Sequence, residues 1–186
     1  MMKPVLLFLL LFCLVVPVSA MEIGGVQMPD TLKLDGENLV LNGAGLRTKF
    51  FFKIYAGGLY LLKESKDAGA IIAADAPMLV RMHFIYDGVS GEKLRDGWKD
   101  GFALTAPNAD ENLQAAMAAF IELFTKEAKE NDIYDIAWTP AKNVEVRLND
   151  VLQGTISGLA FKKALFAIWL GGEPVDDDLK EGMLGR

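Results

Sequence analysis

Arg47 stands out among the side chains that could do chemistry. It lies in the stretch Asn42 to Leu62, NGAGLRTKFFFKIYAGGLYLL, between Gly43-x-Gly45 and the aromatic run Phe50, Phe51, Phe52, Ile54, Tyr55. A second glycine pair, Gly57-Gly58, precedes Leu59 to Leu62. The stretch is too apolar for a surface loop and too rich in glycine for a comfortable helix. It reads as a pair of strands bent or bulged at the glycines. Arg47 is then a cation at the entrance to an apolar sheet. Two roles suit such a group. It can be the polar anchor of an apolar ligand cleft walled by some of the 11 Phe, 4 Tyr and 3 Trp, the usual make-up of a ligand pocket. It can equally be a structural ion-pair partner, satisfied by backbone carbonyls or by an acid such as Asp150.

Other chemistry is sparse. The single histidine, His83, sits in mid-strand with no Cys, Asp or second His at ligand spacing, and reads as structural or solvent-facing. There is no Gly-x-Ser-x-Gly elbow and no Walker loop, and Gly43-x-Gly45 lacks the third glycine of a dinucleotide fingerprint. The acids Asp176 to Asp178 suit a helix N-terminus better than a cation. No metal site and no cofactor are expected.

The elements that must position these groups read as follows. Glu22 to Met28 is a short strand weakened by Gly24-Gly25, and Thr31–Leu34 with Asn38–Leu41 is a hairpin turning at Asp35-Gly36. Asn42-Gly43 reads as a further turn, and Phe50 to Leu62 as one or two long strands. Asp67 to Ala74 suits a short helix stopped by Pro77. Met78 to Tyr86 alternates, with Val80, Met82, Phe84 and Tyr86 on one face and Arg81 and His83 on the other. Ser90 caps a helix over Glu92 to Phe102, with Leu94, Trp98 and Phe102 at helical spacing. Asp110 to Lys129 reads as the strongest helix, its acids and lysines matching the macrodipole. Strands at Ile133–Trp138, Val144–Leu148 and Val151–Ser157 follow. Helices over Phe161–Leu170 and up to Leu184 close the chain. Helices grouped on one face of a mainly antiparallel sheet make an α+β fold.

Met1 to Ala20 reads as a secretory signal peptide: one positive residue, Lys3, an apolar core from Val5 to Val16, and small residues before the cleavage point. That core is short for a membrane span. Cleavage leaves a single domain, residues 21–186, with no stable membrane span and an expected periplasmic location. The only cysteine, Cys13, leaves with the leader, so no disulfide or thiol nucleophile is expected. Formal net charge is −6, no basic stripe is present, and nucleic acid is an unsuitable partner.

The order of several motifs is distinctive. Gly43-Ala44-Gly45-Leu46-Arg47 and Lys53 to Leu61 resemble the N-terminal signature of the chalcone isomerase fold. Gly88 to Leu94 is similar to the start of that family's central helix. Ala164 to Gly171 with Pro174-Val175 is similar to its late helix and exit loop. In these motifs the chain resembles the bacterial, secreted chalcone isomerase-like group. The resemblance implies an open-faced β-sandwich, in which a long antiparallel sheet carries a layer of helices over a cleft.

It also implies what the site should hold. The plant enzymes close a chalcone into a flavanone with an arginine, a Thr–Tyr pair, an Asn and a late Ser/Thr. Those positions fall here on Arg47, Tyr55, Ser90, Gly97 and Ala167, so only the arginine is kept. Oxa-Michael closure needs charge stabilised at the new enolate, and without the hydroxyl network efficient chalcone closure is not expected. Non-catalytic relatives bind fatty acids with the arginine on the carboxylate, a strong bidentate pairing in a dry cleft. The expected partner is therefore a small apolar or amphiphilic ligand. The candidate ligand-binding residues are Arg47, Tyr55, Ser90 and Tyr86, the last as a substitute hydroxyl. An isomerase or intramolecular lyase acting on an enone through Arg47 and Tyr55 is the alternative, and a structural or partner-binding protein a third.

Overall fold

A computed structural model describes residues 20–186; apart from Ala20, the expected leader lies outside the described residues. Strands β1 (Ala20–Ile23) and β2 (Val26–Pro29) form a small hairpin. Its two turn residues, Gly24 and Gly25, both have positive φ, which suits a tight two-residue turn. The expected first strand is thus two strands folded at the glycines.

Seven strands then form one antiparallel meander: β3 (Thr31–Leu34), β4 (Glu37–Lys49), β5 (Phe52–Leu61), β6 (Met78–Phe84), β7 (Ile133–Trp138), β8 (Asn143–Leu148) and β9 (Val151–Ser157). The helices are α1 (Ala68–Ala73), α2 (Gly91–Thr105), α3 (Glu111–Ile121), α4 (Leu159–Leu170) and α5 (Asp177–Met183). Alternation sets the main core. Tyr55, Leu59, Val80, Met82, Phe84, Tyr134, Ile136, Val144 and Val146 face inward and meet Trp98, Phe120, Phe161, Leu165 and Trp169 of the helices. Fold class is α+β, an open-faced sandwich as expected.

Four local expectations change. Asn42-Gly43 is not a turn, because β4 runs straight through it with a bulge at Asn42. Asn42 Nδ2 donates to the Met183 carbonyl at 2.8 Å, and Asn42 Oδ1 accepts from Ser65 N–H at 2.7 Å. Phe50 and Phe51 are the turn between β4 and β5, so the aromatic run straddles a hairpin tip. Helix α3 ends at Ile121, well short of Lys129. There the chain turns inward to bury Phe124, and Ala128 pairs with Val89 through N–H···O bonds of 2.8 and 2.9 Å. Strand β6 stops at Phe84, and Tyr86 falls outside it, although the Ile85 and Tyr86 N–H groups still donate to the Ile54 carbonyl at 3.0 and 3.1 Å.

The two glycines beside Arg47 have a packing reason. Helix α5 lies on the backbone of β4, where a Cβ on Gly45 would stand 2.7 Å from Leu179 Cα. A Cβ on Gly182 of α5 would in turn meet the Ala44 carbonyl oxygen at 2.5 Å. Close approach without side chains is a common use of glycine in strands. It carries the N-terminus of α5 to Arg47.

Lys162 of α4 is fully buried. Its Nζ donates to the carbonyls of Ile71, Ile72 and Ala74 at 2.8–3.0 Å and so closes the end of α1. Burial pushes its ammonium down to about 8, while the three carbonyls each accept one of its N–H donors.

Candidate functional site

Arg47 and Tyr55 face each other across β4 and β5, directly in register. Opposed residues on one face of an antiparallel pair have Cβ atoms about 4.5–5.5 Å apart. On its other side Tyr55 pairs with Phe84 of β6, ring centroids 5.7 Å apart. The Arg47–Tyr55 row therefore lies on the inward face, where the helices begin.

A cavity of about 550 Å³ opens between this corner of the sheet and helices α2 and α4. That lies within the range of ligand cavities, about 300–1,000 Å³. Its walls are mostly apolar: Phe52, Ile54, Met82, Val89, Leu94, Trp98, Ile168 and Trp169. Its polar side chains are Arg47, Lys49, Tyr55, Tyr86, Lys93, Asp96 and Asp100. Trp98 packs its ring against Phe120, Phe124 and Trp169 at 5.1, 5.1 and 5.5 Å, which fixes that wall. Its Nε1 is buried with no acceptor among the described residues.

Arg47 has a fixed but incomplete set of partners. Its Nη1 donates to the Thr48 carbonyl at 2.7 Å and meets Asp176 Oδ2 at 3.5 Å. The expected acid, Asp150, is not the partner. Asp176 is already occupied elsewhere: Oδ2 accepts from Thr48 N–H at 3.0 Å, and Oδ1 accepts from Leu179 N–H at 3.0 Å as the cap of α5. Asp176 thus offsets the guanidinium only in part. Arg47 Nε and Nη2 have no acceptor among the described residues, and the side chain is 20% exposed.

Tyr55 is 6% exposed. Its hydroxyl accepts from Trp169 Nε1–H at 3.1 Å. Burial pushes the phenol up to about 12, against smaller lowering effects of the Trp169 bond and of Arg47. At neutral pH it is a protonated donor, not a base. The corner therefore offers a guanidinium and a neutral hydroxyl side by side above an apolar wall.

The other expected site residues lie differently. Tyr86 lines the cavity mouth, edge-on to Phe52 at 5.3 Å. Ser90 does not line it: its Oγ accepts from Lys93 N–H at 3.3 Å and caps α2. Gly97 is on the wall, and a Cβ there would meet nothing within 4 Å. Ala167 is off the wall, while its neighbours Ile168 and Trp169 are on it. His83 is on the opposite sheet face beside Ile133, with Nε2 buried and unpartnered among the described residues. Among those residues no group of three or more His, Cys, Asp or Glu could hold a metal ion. No helix among them is long and apolar enough to cross a membrane.

Sequence reasoning missed Asp176 as Arg47's partner and Trp169 as Tyr55's. It also missed the bidentate pair on the outer sheet face, where Arg81 donates to both Asp135 oxygens at 2.8 and 2.6 Å. Only the alternation around Arg81 hinted that a charged face existed there.

A seven-stranded antiparallel sheet under a helical layer, with a cavity where the two part at Arg47, defines the open-faced sandwich of the chalcone isomerase type. The chain belongs to the chalcone isomerase-like family, which it matches over residues 20–185. Among solved structures it is similar to a fatty-acid binding protein of Arabidopsis thaliana. That match has a TM-score of 0.75 and 17% identity, and it covers 89% of this chain and 96% of the other. By sequence, no curated protein matches.

Proposed function

We propose that this protein binds a single-chain amphiphile with a carboxylate head, of the fatty-acid class, with the head at Arg47 and the chain along the apolar wall. The observation that carries this is the state of Arg47. It is held on one edge by Thr48 and Asp176, while Nε and Nη2 have no protein acceptor among the described residues. A carboxylate there completes a bidentate pair, and Tyr55 beside it can donate a neutral hydrogen bond. The walls of Met82, Trp98, Ile168 and Trp169 suit an alkyl chain. The fatty-acid binding protein with the same fold supports this reading. Tyr86 at the mouth is a second contact for the ligand. Ser90, engaged in its cap, is not included.

No observation favours an isomerase. Among the described residues the cavity is lined by no Ser or Thr, and the two hydroxyls on its wall belong to Tyr55 and Tyr86. A phenol held near 12 does not accept a proton near neutrality, so chalcone closure is expected to run at the uncatalysed rate. The leader at Met1–Ala20 supports export to the periplasm; an exported chain beginning at Met21 would bear this out.

Native mass spectrometry of the purified protein, with saturated acids of increasing length, tests the proposal. One acid per chain should be retained, with retention rising and then falling as the alkyl chain outgrows the cavity. Retention that ignores chain length would count against it.

A further inference from the structure

The tip of the β4–β5 hairpin is unlike the rest of the surface. Phe51 is 97% exposed, Phe50 83% and Phe52 54%. The tip runs past the end of β6: β5 last pairs with β6 at Tyr55–Phe84, and the pairs Thr48–Lys53 and Lys49–Phe52 have no third strand beside them, with Phe52 resting edge-on to Tyr86 at 5.3 Å. Phe50 has φ +57, a conformation usually left to Gly or Asn and costly for a bulky side chain.

The charge around it is as uneven. From Asn38 to Lys63 there is no acid, in a chain with 25 Asp and Glu and a net charge of −6, and Lys49 and Lys53 flank the three phenylalanines. Exposed aromatics between lysines on a projecting turn match a bilayer interface. There the rings enter the acyl boundary and the ammonium groups meet anionic headgroups.

We propose that this hairpin tip docks the protein on an anionic phospholipid surface. Phe50 and Phe51 enter the interface, and Lys49 and Lys53 meet lipid phosphates. Lys49, Phe50 and Phe52 also border the cavity, so docking sets the cavity mouth against the lipid. An amphiphile can then pass between bilayer and cavity without crossing water; that consequence rests on the ligand reading above, whereas docking itself does not.

Flotation with phosphatidylethanolamine vesicles, with and without phosphatidylglycerol, tests it. The intact protein should float with the anionic vesicles. Phe51→Ser should lower partition about tenfold or more, and Lys53→Glu about fivefold or more. Phe51→Trp should show a blue-shifted emission when anionic vesicles are added. Equal flotation of Phe51→Ser and the wild type overturns the proposal. So does wild-type protein that stays in solution, or one that self-associates through the tip instead. Circular dichroism checks that the variants fold. Fatty-acid titration in vesicle-free buffer reads the cavity separately, and Phe51→Ser should match the wild type there. Flotation without fatty-acid binding leaves docking standing and removes the ligand reading; the converse removes docking alone.

Discussion

Arg47 and Tyr55 stand opposite one another in the β4–β5 ladder, on the face covered by helices. Each is tied by its far side to a different helical segment. Arg47 meets Asp176 at the start of α5, and Tyr55 accepts from Trp169 of α4. The pair is thus positioned from both the sheet and the helical layer. Such locking is what a preformed ligand anchor needs.

The Tyr55–Trp169 bond is expected to matter for stability. Tyr55→Phe leaves the buried Trp169 N–H without an acceptor and should cost about 1–3 kcal/mol in urea unfolding. Trp169→Phe costs more through lost packing. The double variant should lose less than the two single losses together, by about 1 kcal/mol. Strict additivity would mean that the bond contributes nothing.

Alkaline pH should act through the same phenol. Tyr55 has a folded value raised to about 12 from an unfolded 10.0. The protonated form is therefore favoured by folding, so its contribution is full below pH 10 and is lost as pH rises through about 12. Two units correspond to about 3 kcal/mol. Denaturant midpoints measured from pH 9 to 12 should fall more steeply in wild type than in Tyr55→Phe. Parallel curves would contradict this.

If a carboxylate ligand sits on Arg47 as proposed, Asp176 competes with it. Asp176→Asn keeps the Oδ1 acceptor for the Leu179 N–H at the α5 cap, but removes the charge and puts an NH2 where Oδ2 accepts from Thr48 N–H. Affinity for a fatty acid should rise a few-fold, with a stability loss of about 0.5–1.5 kcal/mol from the lost Thr48 bond. Weaker binding in this variant would show that Asp176 holds Arg47 in its binding pose instead.

Gly97 separates stability from binding. It lies inside α2 with open space where a Cβ would go. Gly97→Leu should stabilise the helix by up to about 1 kcal/mol while narrowing the cavity and weakening long-chain acids. Stronger binding of those acids would place the ligand elsewhere.

Much of the fold was legible because one sheet face is buried and the other is not. Val144, Val146 and Leu148 alternate with Glu145 and Arg147, and the strand followed from that alone. Arg47 as the unusual cation was legible too, as an arginine inside an apolar run. Its partner was not. Asp176 is 129 residues away, and it reaches Arg47 only because α5 lies on the bare backbone of Gly43 and Gly45. The same glycines, met as a sequence, read as a turn. Lys162 beside Lys163 looks like part of a solvated face; only the carbonyls at the end of α1 explain its burial. Helix α3 was overdrawn because Phe124 keeps the helical spacing after the chain has already turned.

The anchoring role proposed for Arg47 is tested most directly by comparing calorimetric affinities for a long-chain fatty acid and for the alcohol of equal length, in wild type and in Arg47→Gln. A carboxylate held by Arg47 should make wild type prefer the acid by about tenfold or more, since charge-assisted bonds are worth about 1.5–3 kcal/mol. Arg47→Gln should bind both alike, with the alcohol's affinity unchanged. An acid preference that survives in Arg47→Gln would contradict the assignment.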